Sequence, residues 1–122
     1  MPVYRGVELG FTELAGRLSA DPLPGDGLTD DVSMRVVRIR PGPRTPHRHP
    51  HSCEVMFVAQ GDGRFWEGDT VHQVRAGDVL FVPTGVPHAT VCVGDTDIVL
   101  ACFFPRRDLP SNIEELPGPV RH

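Results

Sequence analysis

The chain has 122 residues, a formal net charge of −4 and 39% hydrophobic residues, values typical of one soluble globular domain over residues 1–122. All twelve basic residues are arginine and form no dense basic run, which argues against nucleic-acid binding. The lack of lysine excludes Schiff-base chemistry, and no apolar run is long enough to span a membrane. Three cysteines without a signal-peptide pattern indicate reduced thiols, so we expect a cytoplasmic protein.

The first predicted element is one short N-terminal helix. Residues 11–20, FTELAGRLSA, place apolar side chains at helical spacing, although Gly16 weakens the pattern. A loop follows at 21–31. Seven short β-type segments come next, at 34–40, 54–60, 64–67, 70–74, 79–83, 88–93 and 97–104. Turn sequences such as GDG, EGD and PTGVP separate them, and many short strands with tight turns are typical of an all-β sandwich or barrel.

The C-terminal segment 105–122 has four prolines in eighteen residues. This composition predicts an extended tail, either packed on the surface or partly mobile, as chain termini commonly are. A lid over a site and a contact with a partner subunit are the alternatives.

Half of the six histidines lie on one short stretch, HRHPHSCE at 47–54. His47 and His49 are two residues apart, so on a strand their side chains share one face. Pro50 begins a connector compatible with a hairpin, which would bring Glu54 back beside the two imidazoles. Two histidines and one carboxylate suit a transition metal with positions left open. The alternative is an exposed histidine tract with an unrelated glutamate.

A second stretch, GDVLFVPTGVPH, runs from Gly77 to His88. Five residues separate Gly77 from Pro83, one residue separates Pro83 from Gly85, and two residues separate Gly85 from His88. This spacing resembles the second motif of the cupin superfamily, G-x5-P-x-G-x2-H-x3-N. The sequence departs from that motif at its last position, where Cys92 replaces asparagine.

The segment from Gly42 to Gly61 resembles the first cupin motif, G-x5-H-x-H-x3,4-E-x6-G. His47, His49 and Glu54 fall in register, and six residues separate Glu54 from Gly61. The departure is that four residues, not five, lie between Gly42 and His47. Together the two motifs identify the chain as similar to small single-domain cupins.

The resemblance covers about residues 34–104 and implies a small antiparallel β-barrel or jelly roll. It also implies one divalent first-row transition metal ion: Fe, Ni, Mn, Zn or Cu. The ligands that it implies are His47, His49, Glu54 and His88. His51 competes with His47, because HPH at 49–51 is also an H-x-H pattern, but Glu54 would then follow too closely. His51 is otherwise a supporting or rim residue.

The two-residue period of strands extends the predicted pocket around the metal. The pocket residues predicted in this way are Met56, Val58, Thr90, Cys92 and, at the rim, His51. Cys92 can equally be a small core residue, and both registers of the last strand are apolar, so the sequence does not choose between them. The strand arginines Arg35, Arg38, Arg40 and Arg64 are predicted mostly as solvated charges. One of them at the pocket mouth would imply an anionic substrate.

We expect a metal-dependent enzyme that acts on a small organic molecule, with a dioxygenase as the leading reaction. Glu54 would be a ligand and, when it leaves the metal, a base. The alternatives are an isomerase, cyclase or lyase in which the metal acts as a Lewis acid, and a barrel that binds a ligand without reaction. We expect neither a nucleic-acid nor a membrane partner, and a homodimer formed through exposed sheet edges.

Overall fold

The computed structural model describes residues 3–122 and contains eleven strands in two antiparallel sheets. In chain order the strands are β1 (Thr12–Leu14), β2 (Arg17–Ala20), β3 (Ser33–Ile39), β4 (His47–Arg48), β5 (Glu54–Gln60), β6 (Asp62–Glu67), β7 (Thr70–Arg75), β8 (Val79–Val82), β9 (His88–Cys92), β10 (Ile98–Phe104) and β11 (Glu114–Glu115). Two short 3-10 helices occur at Gly6–Glu8 and Leu109–Ser111. None of the helices in residues 3–122 has the length and apolar character needed to cross a membrane.

The two sheets form a jelly roll, which confirms the predicted fold class. The first sheet has the order β1-β2-β3-β10-β5-β8, and the second has the order β11-β4-β9-β6-β7. No ladder of strand pairing joins the sheets within residues 3–122, so the molecule is a two-layer sandwich and not a closed barrel. The core between the layers includes Ile39, Val58 and Ile98, each at most 1% exposed.

The predicted helix at 11–20 is wrong. β1 and β2 pair there as an antiparallel hairpin, and Gly16 takes a positive φ of 71° in its turn. β2 then pairs with β3 and buries Arg17 and Ser19, which alternate along the strand. Pairing with a sheet edge therefore overrides a weak helical period. The short N-terminal helix that does form is the single 3-10 turn at Gly6–Glu8.

The seven predicted strands are all present, and β5 has the predicted bounds. Of the two apolar faces of β10, the structure directs one to the core. Its inner face carries the buried residues Ile98, Leu100, Cys102 and Phe104. The two-residue strands β4 and β11 were not predicted, since no periodicity is visible over so short a length. β11 pairs with β4, so the C-terminal segment forms one edge of the second sheet.

Candidate metal centre

Three histidines and one glutamate come together where several strands begin. His47 lies in β4 and directly faces His88, the first residue of β9, across their pairing. His49 follows β4, and Glu54 is the first residue of β5 in the opposite sheet. The site therefore lies between the two sheets, at the ends of strands whose central residues form the core.

The four side chains are buried and close enough to share one ion. The nitrogen ligand atoms of the three histidines lie within 4.8 Å of one another. Oε1 of Glu54 lies 3.0 Å from Nε2 of His49 and 3.2 Å from Nε2 of His88. The four residues are between 2% and 7% exposed. The predicted liganding residues are thus adjacent in space, although they span 42 positions of the sequence from His47 to His88.

Each of the four side chains in this cluster has one buried polar atom with no hydrogen-bond partner in residues 3–122. The buried atoms concerned are Nδ1 of His47, Nε2 of His49, Nε2 of His88 and Oε1 of Glu54. Leaving a buried polar atom unsatisfied costs about 1–3 kcal/mol, and one such atom on each of four clustered side chains is unfavourable on its own. A divalent cation bound among them would satisfy them, so the residues present fit a metal ion.

Hydrogen bonds from the far side of two rings set their tautomers. Nδ1 of His49 donates to the carbonyl oxygen of Asn112 at 2.7 Å, and Nδ1 of His88 donates to the carbonyl oxygen of Val86 at 2.9 Å. A carbonyl oxygen can only accept, so Nδ1 of each ring carries the proton. The lone pair on Nε2 is then directed at the shared space, the usual arrangement for a histidine that binds a metal.

The protonation states also fit a metal ion. Burial on its own would raise the pKa of Glu54, but contacts with His49 and His88 outweigh burial and lower that pKa to about 2. Burial, followed by the neighbouring His88 and Arg17, holds the pKa of His47 well below its usual value. At neutral pH the carboxyl is therefore ionised and His47 is neutral, the states that bind a cation.

Asn112 supports the site and was missed by sequence reasoning. Its side chain is buried; Oδ1 accepts from the backbone N–H of His51 at 2.8 Å, and Nδ2 donates to Oγ of Ser52 at 2.8 Å. The same residue therefore holds the ring of His49 through its carbonyl and the following loop through its amide. A single asparagine in a proline-rich tail carries no sequence signal for this role.

Two buried arginines close to the cluster were also missed. Arg17 has a side chain that is only 4% exposed and pairs with Glu115 at 2.9 Å. Arg44 donates from Nη1 to the carbonyl of Thr90 at 2.8 Å, while its Nε and Nη2 have no partner in residues 3–122. Burial, and then the charge of Arg17, lowers the pKa of Arg44 to about 10, so Arg44 remains a cation at neutral pH.

The predicted pocket residues lie in three different parts of the structure: the inner sheet faces, the hydrophobic core and the surface. Met56, Val58 and Thr90 are buried on inner faces of β5 and β9. Cys92 is part of the hydrophobic core, and its thiol donates to the carbonyl of Thr96 at 3.2 Å, at the end of β9 away from His88. His51 is exposed and lies outside the histidine cluster.

Residues 35–104, more than half of the chain, match the cupin domain family. The chain belongs to the cupin family. Among curated proteins, this cupin is 33% identical over 82 residues to oxalate oxidase GF-3.8 of Triticum aestivum, covering 60% of this chain and 37% of the relative. It is 34% identical over 92 residues to the dimethylsulfoniopropionate lyase DddQ of Ruegeria pomeroyi, covering 71% and 45%. The chain therefore spans less than half the length of these two relatives.

Solved structures show the same fold. A predicted oxalate decarboxylase of Thermotoga maritima superposes with a TM-score of 0.76 at 20% identity, over 87% of this chain and 100% of that one. A mutant of the oxalate decarboxylase OxdC of Bacillus subtilis superposes with a TM-score of 0.77 at 21% identity, over 90% of this chain and 30% of that one. At these identities the likeness establishes the cupin fold alone.

Proposed function

We propose that this cupin is a metal-dependent enzyme that acts on a small organic molecule. His47, His49, Glu54 and His88 would hold one divalent first-row ion. The observation that carries the proposal is that four clustered, buried side chains each have a polar atom without a hydrogen-bond partner in residues 3–122. When bound, such an ion polarises an oxygen of the substrate or takes part in electron transfer.

We propose a dioxygenase as the leading reaction. Three imidazoles and one carboxylate would leave a transition metal with positions for further ligands. Such an ion would supply the redox chemistry that a reaction with dioxygen needs. The relatives named as oxalate oxidases support a reaction of the oxidoreductase class.

A lyase is the second candidate, and one finding favours it. The relative DddQ, which aligns with 71% of this chain, against 60% for oxalate oxidase GF-3.8, is named a dimethylsulfoniopropionate lyase. In such a reaction the metal would act only as a Lewis acid, and oxygen would not be consumed.

Glu54 is the proposed proton acceptor as well as a ligand. With a pKa of about 2, its carboxylate is a weak base while it contacts His49 and His88. Movement away from these imidazoles would return its basicity towards that of an ordinary glutamate. Glu54 would then accept a proton from the substrate, and its burial would keep competing water away.

The metal is proposed to be Fe, Ni, Mn, Zn or Cu. Bacillus subtilis oxalate decarboxylase, a structural neighbour, has Mn(II) centres, which makes Mn(II) the first ion to test. Elemental analysis of protein produced in minimal medium, with and without each added metal, gives the ion and its stoichiometry.

Oxygen consumption by the loaded protein separates the two reactions. Uptake that depends on an added organic substrate would support the dioxygenase. Turnover of substrate without oxygen uptake would support the lyase. A chain that retains less than one metal ion under all of these conditions would contradict the proposed function, and metal retention without turnover would favour a binding protein.

We also propose that the protein is a homodimer. The outer face of the first sheet carries exposed apolar side chains on neighbouring strands: Val55, Phe57, Val79, Phe81 and Phe103. Val55 pairs with both Phe81 and Phe103, so these three side chains form one continuous row. An exposed apolar patch of this kind is typical of an interface. Light scattering should give the mass of a dimer, and Phe81→Lys should shift it towards the monomer.

A further inference from the structure

Arg35 points into the space between the sheets, the alternative to a solvated charge that the sequence left open for one of the strand arginines. It pairs with Cys102 of β10, and Cys102 pairs with Met56 of β5. Residues paired across an antiparallel sheet lie on the same face. Cys102 and Met56 are buried on the inner face, so Arg35 shares it. Glu54 lies two residues before Met56 on the same strand and faces the same way.

The guanidinium of Arg35 has no acidic partner. No carboxylate of residues 3–122 lies within ion-pair distance of it, whereas Arg17, Arg38 and Arg107 each have one. Burial lowers the pKa of Arg35, because removing a cation from water is unfavourable. The residue is nevertheless only partly buried, so its side chain is not sealed off from solvent.

The interior around the metal centre has an excess of positive charge. Arg17 and Arg44 are buried nearby, and the acidic groups close to these arginines and Arg35 are Asp21, Glu54 and Glu115. Asp21 is paired with Arg107. Glu115 is already engaged by Arg17, and Glu54 contacts His49 and His88. A divalent ion would add two more positive charges. Positive charge taken out of water is unfavourable unless it is balanced, so this region favours an anion.

We propose that Arg35 binds the carboxylate of a small organic anion whose other end reaches the metal centre. The inference rests on the proposed function, since it assigns a substrate class to the same site. The planar guanidinium matches a carboxylate through two parallel hydrogen bonds. One unpaired guanidinium suits a carboxylate better than a phosphate dianion, which has three oxygens to satisfy. The burial of the histidine cluster restricts the ligand to a small molecule.

Isothermal titration tests this with matched charged and neutral probes. Glycolate, acetate and malonate are titrated into Mn(II)-loaded and metal-free protein, alongside glycolamide, acetamide and malonamide. We expect at least one carboxylate to bind at least 10-fold more tightly than its amide. Arg35→Gln should weaken carboxylate binding about 10- to 100-fold while leaving amide binding and Mn(II) stoichiometry unchanged. Arg35→Lys, which keeps the charge but loses the planar fork, should give an intermediate affinity.

The control variant is Arg38→Gln, on the same strand but on the opposite face, where Arg38 lies 3.7 Å from Asp97. It should bind the carboxylates as the wild type does. The inference is overturned if the wild-type protein prefers no carboxylate over its amide, or if inorganic phosphate binds more tightly than the carboxylates. It is also overturned if Arg35→Gln keeps the preference for carboxylates, or if Arg38→Gln loses that preference equally. If Arg35→Gln does not fold, Arg35→Lys is measured in its place. An undiminished affinity of Arg35→Lys for carboxylates would then overturn the inference.

The two proposals fail in different ways. A wild-type protein that takes up no Mn(II) contradicts the proposed function. The role of Arg35 is then still tested by whether the metal-free protein binds carboxylates more tightly than amides. Normal Mn(II) uptake with no effect of Arg35→Gln rejects the role of Arg35 and leaves the metal site standing.

Discussion

The backbone carbonyl of Asn112 accepts a hydrogen bond of 2.7 Å from the ring of His49, 63 residues earlier in the chain. The same asparagine binds the backbone of His51 and the hydroxyl of Ser52 through its side chain. The C-terminal segment thereby fixes the orientation of one candidate metal ligand and of the loop between β4 and β5. We conclude that this segment is part of the site.

Asn112→Ala should weaken metal binding. Without the amide, the carbonyl of residue 112 is no longer held beside His49, and loss of such a supporting contact lowers metal affinity about 10- to 100-fold. The lost buried hydrogen bonds should also lower the free energy of unfolding by about 1–3 kcal/mol. Competition with a chelator of known affinity, and urea denaturation, give the two values.

Two variants separate positioning from a general loss of structure. Asn112→Asp keeps the oxygen that accepts from His51 and should recover part of the metal affinity. Ser111→Ala changes an exposed neighbour and should bind metal as the wild type does. Equal metal affinities for Asn112→Ala and the wild type would show that the tail does not position His49.

His49→Ala should remove most of the bound metal, and His51→Ala should remove little. The ring of His49 is buried beside Glu54, whereas His51 is exposed and outside the cluster. Elemental analysis of the two variants, purified in parallel, measures the difference. The reverse order of metal contents would mean that His49 has been assigned wrongly as a ligand.

A transition metal should stabilise the wild-type fold. An ion that binds only the folded state at 100 times its dissociation constant adds about 2.7 kcal/mol to the free energy of unfolding. Mn(II) should therefore raise the midpoint of thermal unfolding of chelator-treated protein. Mg(II), which prefers oxygen ligands, should have little effect, and His88→Ala should abolish the response to Mn(II). An equal response of His88→Ala would contradict the proposed ligand set.

Gly61→Ala should destabilise the fold more than Gly85→Ala. Both glycines have positive φ, 94° and 79°, so an alanine costs about 1–2 kcal/mol in either turn. At Gly61 a Cβ would also lie 2.8 Å from the carbonyl oxygen of Asp97 and 2.9 Å from Cα of Ile98, whereas nothing lies within 4 Å at Gly85. Urea denaturation of chelator-treated proteins compares them, and similar losses would argue against close backbone packing at Gly61.

Much of the fold was predictable from local sequence patterns. The strands between 34 and 104 are short β-type runs bounded by turn residues, and the spacings within 42–61 and 77–88 carry the cupin resemblance. The hairpin of β1 and β2 was not predictable, because its strands have only three and four residues, and the apolar residues at 11–20 also fit a helical period. Its pairing partner, β3, lies beyond a long loop.

The site was predictable only where its residues form a pattern. His47, His49, Glu54 and His88 lie at characteristic spacings, and the structure brings them together. Asn112 and Arg35 do not follow any spacing rule. Asn112 reaches the site because the tail pairs with β4. Arg35 faces inward because of the register between β3 and β10. The sequence alone gives neither pairing.

The most direct test of the proposed metal centre is a crystal structure of the protein grown with Mn(II), with anomalous diffraction data. We expect one strong anomalous peak per chain between the sheets, about 2.0–2.3 Å from ligand atoms of His47, His49, Glu54 and His88. No peak at that position, or three imidazoles turned away from one another at full Mn(II) concentration, would contradict the proposed metal centre.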